Sequence, residues 1–337
     1  MKLLVIGPSW VGDMVMAQAL FMDLQQRHPE ASIDVLAPAW SLPIIARMPQ
    51  VHRGIAAPWQ HGKLQLKAQW RLAQSLRKTG YDKAIILPRS FKSALLPFLA
   101  GIGERVGFSG EGRRLLLTDA RKRRPTRQGQ TVIDKTVWRY LGLGASRADY
   151  ARYQFAVPTP KLRVDQSNAQ RILTELALTT ERPAIALCPG AEYGPSKQWP
   201  LARHRQLATQ LVQQGYQVWV IGGAKDNAAG DTIAAEQQHI YNLCGKTELA
   251  DTVDLFAQCQ AVVSHDSGLM HVAAASGARV VAIYGSTSPD FTPPLTNQAS
   301  IIRQPMECSP CFERTCRFGH YHCLSTITVE RVLEATA

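Results

Sequence analysis

The sequence predicts an α/β protein built from two Rossmann-like domains, and three observations predict it. Short apolar, β-rich runs alternate with helical stretches along nearly the whole chain, the pattern of a parallel sheet covered by helices on both faces. The rhythm breaks once, at RADYARYQFAVPTPKLRVDQ (147–166), where Pro158 and Pro160 stand in a segment without a sustained helical period. A length of 337 residues is long for one core and accommodates two. The expected boundaries are an N-terminal domain over 1–160, a C-terminal domain over 161–327 and a terminal helix within 328–337.

In the first half the expected strands are KLLVIG (2–7), SIDVLA (32–37), KAIILP (83–88) and RVGFS (105–109). Helices separate them. LQLKAQWRLAQSLRKTG (64–80) ends on a glycine suited to a C-cap, and FKSALLPFLAGIG (91–103) is kinked or shortened by Pro97. Alternation restarts with strands PAIALCPG (183–190), YQVWVIGG (216–223), IYNLCG (240–245), AVVSHDSG (261–268) and ARVVAIYG (278–285). Helices are expected near 202–214, 226–238, 248–259 and 268–276, and TVERVLEAT (328–336) forms the terminal helix.

Composition narrows the function classes. The hydrophobic fraction of 45% is that of an ordinary globular protein, and no run approaches the ~18 apolar residues that span a bilayer. The N-terminus imitates a signal peptide with Lys2, LLVI and Ala17-x-Ala19, but Gly7, Pro8 and Asp13 interrupt the apolar region. A cytoplasmic protein is expected. The odd count of 7 cysteines argues against a fully paired secreted framework. Cys188, Cys244 and Cys259 lie in apolar segments and read as buried thiols. Much of the formal charge of +12 is concentrated in RRLLLTDARKRRPTR (113–127). That stretch is either a solvated loop or a patch that seeks phosphate. No aromatics interleave its charges and no RNA- or DNA-binding motif accompanies it, so nucleic acid is the weaker partner.

Ligands of open α/β sheets bind beyond the carboxyl ends of the strands. PGAEYG (189–194), IGGAKD (221–226), HDSG (265–268) and YGSTSP (284–289) are small or polar strand ends that together line one pocket. Neither a Walker A loop nor a Gly-x-Gly-x-x-Gly fingerprint is present, which leaves anion binding by backbone amides and helix N-termini. In HDSGLMHVAAASG, Asp266, Ser267 and Gly268 open a helix with His271 one turn in. The stretch reads as an anion site or as an Asp N-cap beside a satisfied histidine. Lys197, in GPSKQWP, is either solvated or placed to neutralise a diphosphate. Asp13, in GPSWVGDMVMA, is open between a helix cap and a catalytic base. Cys308-x2-Cys311-x4-Cys316-x6-Cys323, with His320 and His322 nearby, resembles a zinc knuckle but matches no standard spacing. Structural metal, a redox disulfide and reduced packing cysteines are the alternatives.

Taken together, GPSWVGDMVMAQAL, PGAEYGPSKQWP, HDSGLMHVAAASG and YGSTSP resemble glycosyltransferase family 9, in the same order and over essentially the whole chain. The N-terminal stretch and the cysteine-bearing tail look most similar to its ADP-heptose:lipopolysaccharide heptosyltransferases. The resemblance implies a GT-B fold, with two Rossmann-like domains facing a central cleft and a last helix that packs back on the N-terminal domain. It implies inverting, metal-independent transfer of L-glycero-D-manno-heptose from ADP-heptose to the first heptose of the inner core, carried on Kdo2-lipid A. Such a displacement needs a base for the acceptor hydroxyl and stabilisation of the departing diphosphate. By the resemblance Asp13 is the base, with Ser9, Trp10 and Gly12 on the acceptor side. Lys197 neutralises the diphosphate, and Gly190, Glu192, Tyr193, Gly223, Asp266, Ser267, Gly268 and His271 hold the donor. Related heptosyltransferases carry an acid for the donor ribose where this chain has Lys225, so Asp226 becomes the substitute. Arg113, Arg114, Lys122, Arg123 and Arg124 gain partners in the acceptor's carboxylates and phosphates and in the anionic inner leaflet, which implies peripheral association with the cytoplasmic face of the inner membrane. No nucleic acid and no metal cofactor are expected. The rivals are a GT-B transferase or epimerase acting on another sugar nucleotide and a non-catalytic anion-binding protein.

Overall fold

Two all-parallel sheets of six strands each carry the chain in the computed structural model, which describes residues 1–59, 65–124, 126–128, 131–133 and 135–336. They belong to two units, Met1–Pro160 and Lys161–Ala337. Three expected positions, Leu64 at the start of a helical run, Pro125 in the basic stretch and Ala337, lie outside the described residues.

The first sheet contains β1 (Lys2–Ile6), β2 (Ser32–Ala37), β3 (Arg53–Ala56), β4 (Lys83–Ile86), β5 (Glu104–Phe108) and β6 (Asp119–Arg121), in the order β3-β2-β1-β4-β5-β6. The central strand is apolar on both faces: Leu3, Leu4, Val5 and Ile6 are fully buried, as a parallel strand covered by two helical layers must be. The helix Val11–Arg27 packs against Thr136–Gly144, and Gly144 makes this approach possible, because a Cβ there would stand 2.3 Å from Leu20 Cδ1. The helix Leu66–Thr79 ends at Gly80 in the left-handed conformation, φ +68°, the C-cap its glycine predicts. Pro97 lies inside Phe91–Leu99, which stops two residues later. A hairpin of β7 (Thr126–Gln128) and β8 (Thr131–Ile133) follows the sheet.

The second sheet repeats the order with β9 (Ala184–Cys188), β10 (Gln217–Val220), β11 (Ile240–Asn242), β12 (Cys259–His265), β13 (Arg279–Tyr284) and β14 (Ala299–Arg303), arranged β11-β10-β9-β12-β13-β14. Its core gathers Ile185, Leu187, Trp199, Leu211, Val220, Val263 and Val281.

Several expectations need correction. The boundary between the units falls within the stretch 147–166, but that stretch opens with a helix, Arg147–Arg152, started by Ser146, whose hydroxyl accepts from the Asp149 amide. Its other end reaches the helix Gln166–Glu175, capped by Asp165. The edge strands β3, β6 and β14 were not anticipated; all are short or carry charge at their ends. The terminal helix Val329–Thr336 belongs to the second unit. It packs on the helix Leu201–Gln213 and on β12 and β13, and Val329 and Val332 join the core of the second unit.

One buried acid ties the edge of the first sheet together. Asp34 on β2 accepts from Arg53 (2.7 Å) and from the Tyr81 hydroxyl (2.5 Å), and pairs with His52 Nδ1 at 2.9 Å. Burial alone would raise its carboxyl, but the three hydrogen bonds together hold it below its usual value, while burial and the same acid push the Tyr81 phenol up to about 12. Because the folded value is depressed, the stabilisation is present above the unfolded value near 3.8 and is lost as pH falls through the folded one. Asp34→Asn is expected to lower stability by about 2 kcal/mol at pH 7. In denaturant titrations that difference should shrink below about pH 4.

Candidate active site

In a parallel sheet whose strand order reverses, the loops leaving the two central strands run to opposite faces and open a crevice at their carboxyl ends. In the first unit those strands are β1 and β4. The chain leaves β1 through Gly7-Pro8-Ser9-Trp10 and enters the helix Val11–Arg27, whose third residue is Asp13. The Asp13 N-cap reading fails: Trp10 is the N-cap, without a side-chain cap bond. Ser9 and Trp10 are exposed, Trp10 at 53%, and Gly12 is buried. The partner of Asp13 was not legible in the sequence. Tyr140, on the helix Thr136–Gly144, is held well above its usual phenol value by burial and then by the Asp13 charge, and its hydroxyl hydrogen-bonds that carboxylate. A phenol that stays protonated orients the acid.

The basic stretch divides in two. Arg113 is fully buried, which removes it from any acceptor surface. Its guanidinium donates to the carbonyls of Phe108 (2.8 Å) and Pro88 (2.5 Å) and to Ser93 Oγ (3.1 Å), and desolvation pushes it down to about 10. Arg121 is likewise buried, pairing with Asp119 at 2.7 Å and donating to the Gly142 and Ala145 carbonyls. Arg114, Lys122, Arg123 and Arg124 stand at the surface, Arg124 donating to the Ala151 carbonyl at 2.7 Å.

In the second unit the central pair is β9 and β12, and here the strand ends meet. Lys197, after β9, donates to Asp266 Oδ2 at 2.7 Å and to the Asp266 carbonyl at 3.0 Å. Asp266 is buried at the end of β12, and its other oxygen accepts from Thr292 Oγ1 at 3.0 Å. Its expected role as an N-cap is not what it does: Ser267 is the N-cap of the helix Gly268–Ser276, with no side-chain cap bond. The first amides of that helix are therefore not taken by a capping side chain, which suits an anion. His271 is buried beneath them. Desolvation, and then the opposing fields of Asp266 and Lys197, lower it to about 4, so it is neutral at pH 7.

The remaining predicted donor residues surround the same strand ends. Tyr193 carries Lys197 Nζ 4.9 Å from its ring centroid, a cation–π distance. Glu192 pairs with Lys225, so the lysine standing where an acid was expected neutralises a neighbour. Asp226 accepts from the Gly223 amide at 3.0 Å and faces the ends of β9 and β10, where a Cβ on Gly190 would stand 2.5 Å from its Oδ2. Thr292 and His265 escaped sequence reasoning. His265 Nε2 accepts from the Trp199 amide at 2.8 Å and fixes the start of the loop's return. Among the described residues, no group of three or more His, Cys, Asp or Glu is arranged to hold a metal ion, and all seven cysteines are unpaired. Cys188, Cys244 and Cys259 are buried, whereas the four tail cysteines are half-buried.

Comparison with known proteins bears on this arrangement. The model of glycosyltransferase family 9 (heptosyltransferase) matches residues 69–322. The chain is 44% identical to lipopolysaccharide heptosyltransferase 2 of Escherichia coli K12 and 45% identical to that of Salmonella typhimurium LT2, covering 99% of this chain and 97% of each relative. The solved structure of E. coli ADP-heptose lps heptosyltransferase II is similar with a TM-score of 0.87 at 43% identity, over 99% of this chain and 97% of that one.

Burial of histidines makes a prediction about acid. His204 and His271 are each lowered to about 4 and His265 well below its usual 6.5, in every case first by desolvation. Between pH 6.5 and 4 the unfolded chain therefore binds more protons than the folded one, and stability falls as pH drops through that window. The slope should reach about 1.4 kcal/mol per pH unit for each histidine. Denaturation of the second unit between pH 7 and 5 measures it, and His204→Gln should flatten it.

Proposed function

We propose, from the premise that the chain belongs to glycosyltransferase family 9, the heptosyltransferases, that it transfers heptose from ADP-heptose onto the first heptose of the lipopolysaccharide inner core. The match to lipopolysaccharide heptosyltransferase 2 over nearly the full length of both chains carries this reading. Its curated relatives are glycosyltransferases named for the same activity, and the enzyme class of this chain follows from them.

The chemistry is a single displacement with inversion. The acceptor hydroxyl oxygen forms the new bond to the anomeric carbon, the bond from that carbon to the β-phosphate oxygen breaks, and ADP leaves. The hydroxyl proton goes to the Asp13 carboxylate, which Tyr140 orients. Lys197 and the amides at Ser267 and Gly268 receive the charge that develops on the diphosphate, in place of a divalent metal. Ser9, Trp10 and Gly12 bound the acceptor side. Gly190, Glu192, Tyr193, Gly223 and Asp226 bound the nucleotide, with Asp226 as the ribose contact and His271 as a neutral donor contact. The exposed cations Arg114, Lys122, Arg123 and Arg124 meet the acceptor's anionic groups and the inner leaflet. Among the described residues no helix is long and apolar enough to cross a membrane, and peripheral attachment by charge suits an acceptor anchored there.

Mass spectrometry of ADP-heptose, heptosyl-Kdo2-lipid A and the protein in EDTA should show a product heavier by one heptose; its absence, with the donor intact, refutes the reading. Asp13→Asn should lower kcat by about 10²- to 10⁴-fold while leaving ADP affinity unchanged, and near wild-type turnover would remove Asp13 as the base. Sedimentation with anionic vesicles should weaken as salt is raised; binding insensitive to ionic strength would return the exposed cations to a solvated face.

A further inference from the structure

The cysteine-bearing tail is not a separate appendage. It lies on the strand-end loops of β9 and β13. The Phe312 amide donates to the Ser286 carbonyl at 2.7 Å, and Ser309 Oγ donates to the Gly285 carbonyl at 2.7 Å. From the other side, the Tyr193 hydroxyl donates to the Phe312 carbonyl, Ser196 Oγ to the Glu313 carbonyl, and the Ser196 amide to the Arg314 carbonyl at 3.3 Å. Gly194 leaves room for this contact: its φ is +147°, and a Cβ there would stand 2.5 Å from Arg314 O. The tail backbone at 312–314 is thus fixed against the loop that carries Tyr193 and Lys197.

That fixation brings a second cation to the Tyr193 ring that the first one meets. Arg314 Cζ is 5.3 Å from the Tyr193 ring centroid, and Lys197 Nζ is 4.9 Å from the same centroid. The two charges differ in what already balances them. Lys197 pairs with Asp266 and Lys225 with Glu192, and His271, lowered to about 4, carries no charge at neutral pH. Arg314 pairs with no carboxylate among the described residues and its side chain is exposed. A diphosphate brings at least two negative charges, and one lysine that keeps its own counter-ion cannot offset them.

We propose that Arg314, carried on the tail, binds the diphosphate of the nucleotide donor alongside Lys197. The proposal rests on the donor-site reading of the second unit and adds a contact to it. Guanidinium suits the task, because its planar fork meets phosphate oxygens in pairs. The tail's hold on the 193–197 loop then makes it part of the donor site.

Calorimetric titration of the full chain with ADP and with adenosine tests this, comparing wild type with Arg314→Ala and Arg314→Lys. Arg314→Ala should weaken ADP about tenfold, a 1.4 kcal/mol effect, and leave adenosine unchanged. Arg314→Lys should recover part of the loss, and added salt should narrow the gap. The tail is held through the Arg314 carbonyl, which both variants keep, so their Tm should match wild type. ADP affinity within twofold of wild type in Arg314→Ala overturns the proposal. So does an equal loss for ADP and adenosine, which would report a disturbed loop. If the wild-type protein itself binds ADP no better than adenosine, the donor reading of the site fails, and this contact fails with it.

Discussion

Everything at the candidate site depends on one constraint, the reversal of strand order beside the first strand of each parallel sheet. β1 and β9 each have neighbours whose connections pass over opposite faces. Beyond the carboxyl ends of those strands the two connections part and leave a crevice. The chain puts its unusual chemistry there. In the first unit it is an acid in the first turn of a helix, bonded to a buried phenol. In the second it is a half-buried lysine paired with a buried carboxylate, beside a helix start that no side chain caps. The sheets themselves are apolar and rigid, so these groups are displayed by a scaffold that has no reason to move them.

Charge is handled in two ways across the molecule. Arg113 and Arg121 are surrounded by carbonyl oxygens and serve as internal braces, a use for which a five-donor fork is better suited than an ammonium. Near the donor loops the opposite holds. Histidines there are kept neutral by burial, and cations are kept within reach of solvent or of a single carboxylate. The same residue type therefore supports the fold in one place and stays open to solvent in another, and burial decides which.

Legibility in the sequence followed the same physics. Both sheets could be read because buried parallel strands are continuous apolar runs, such as LLVI and AIALC. Of the edge strands, β11 was read as IYNLCG, but β3, β6 and β14 were not, because they carry charge at their ends and are partly wetted. The strand ends were recognisable by their small residues, which brought out Asp13, Lys197 and Asp266. Tyr140 was not, since an aromatic in a helix gives no sign of which distant acid it will meet. Arg113 misled for the same reason: a run of basic residues does not disclose which member turns inward. The packing of the terminal helix was not legible either, because its apolar face fits any exposed core; Val329 and Val332 join that of the second unit.

The ion pair between Lys197 and Asp266 bears on how a catalytic cycle ends. Its lysine is satisfied within the chain, by a carboxylate at 2.7 Å and a carbonyl at 3.0 Å. When a spent nucleotide departs, no half-buried ammonium is left stranded, so dissociation meets little electrostatic resistance from this residue. A lysine without that companion would hold the leaving group harder and also hold the product longer. On the proposed function, Asp266 would therefore weaken the lysine's grip on a diphosphate and ease its release.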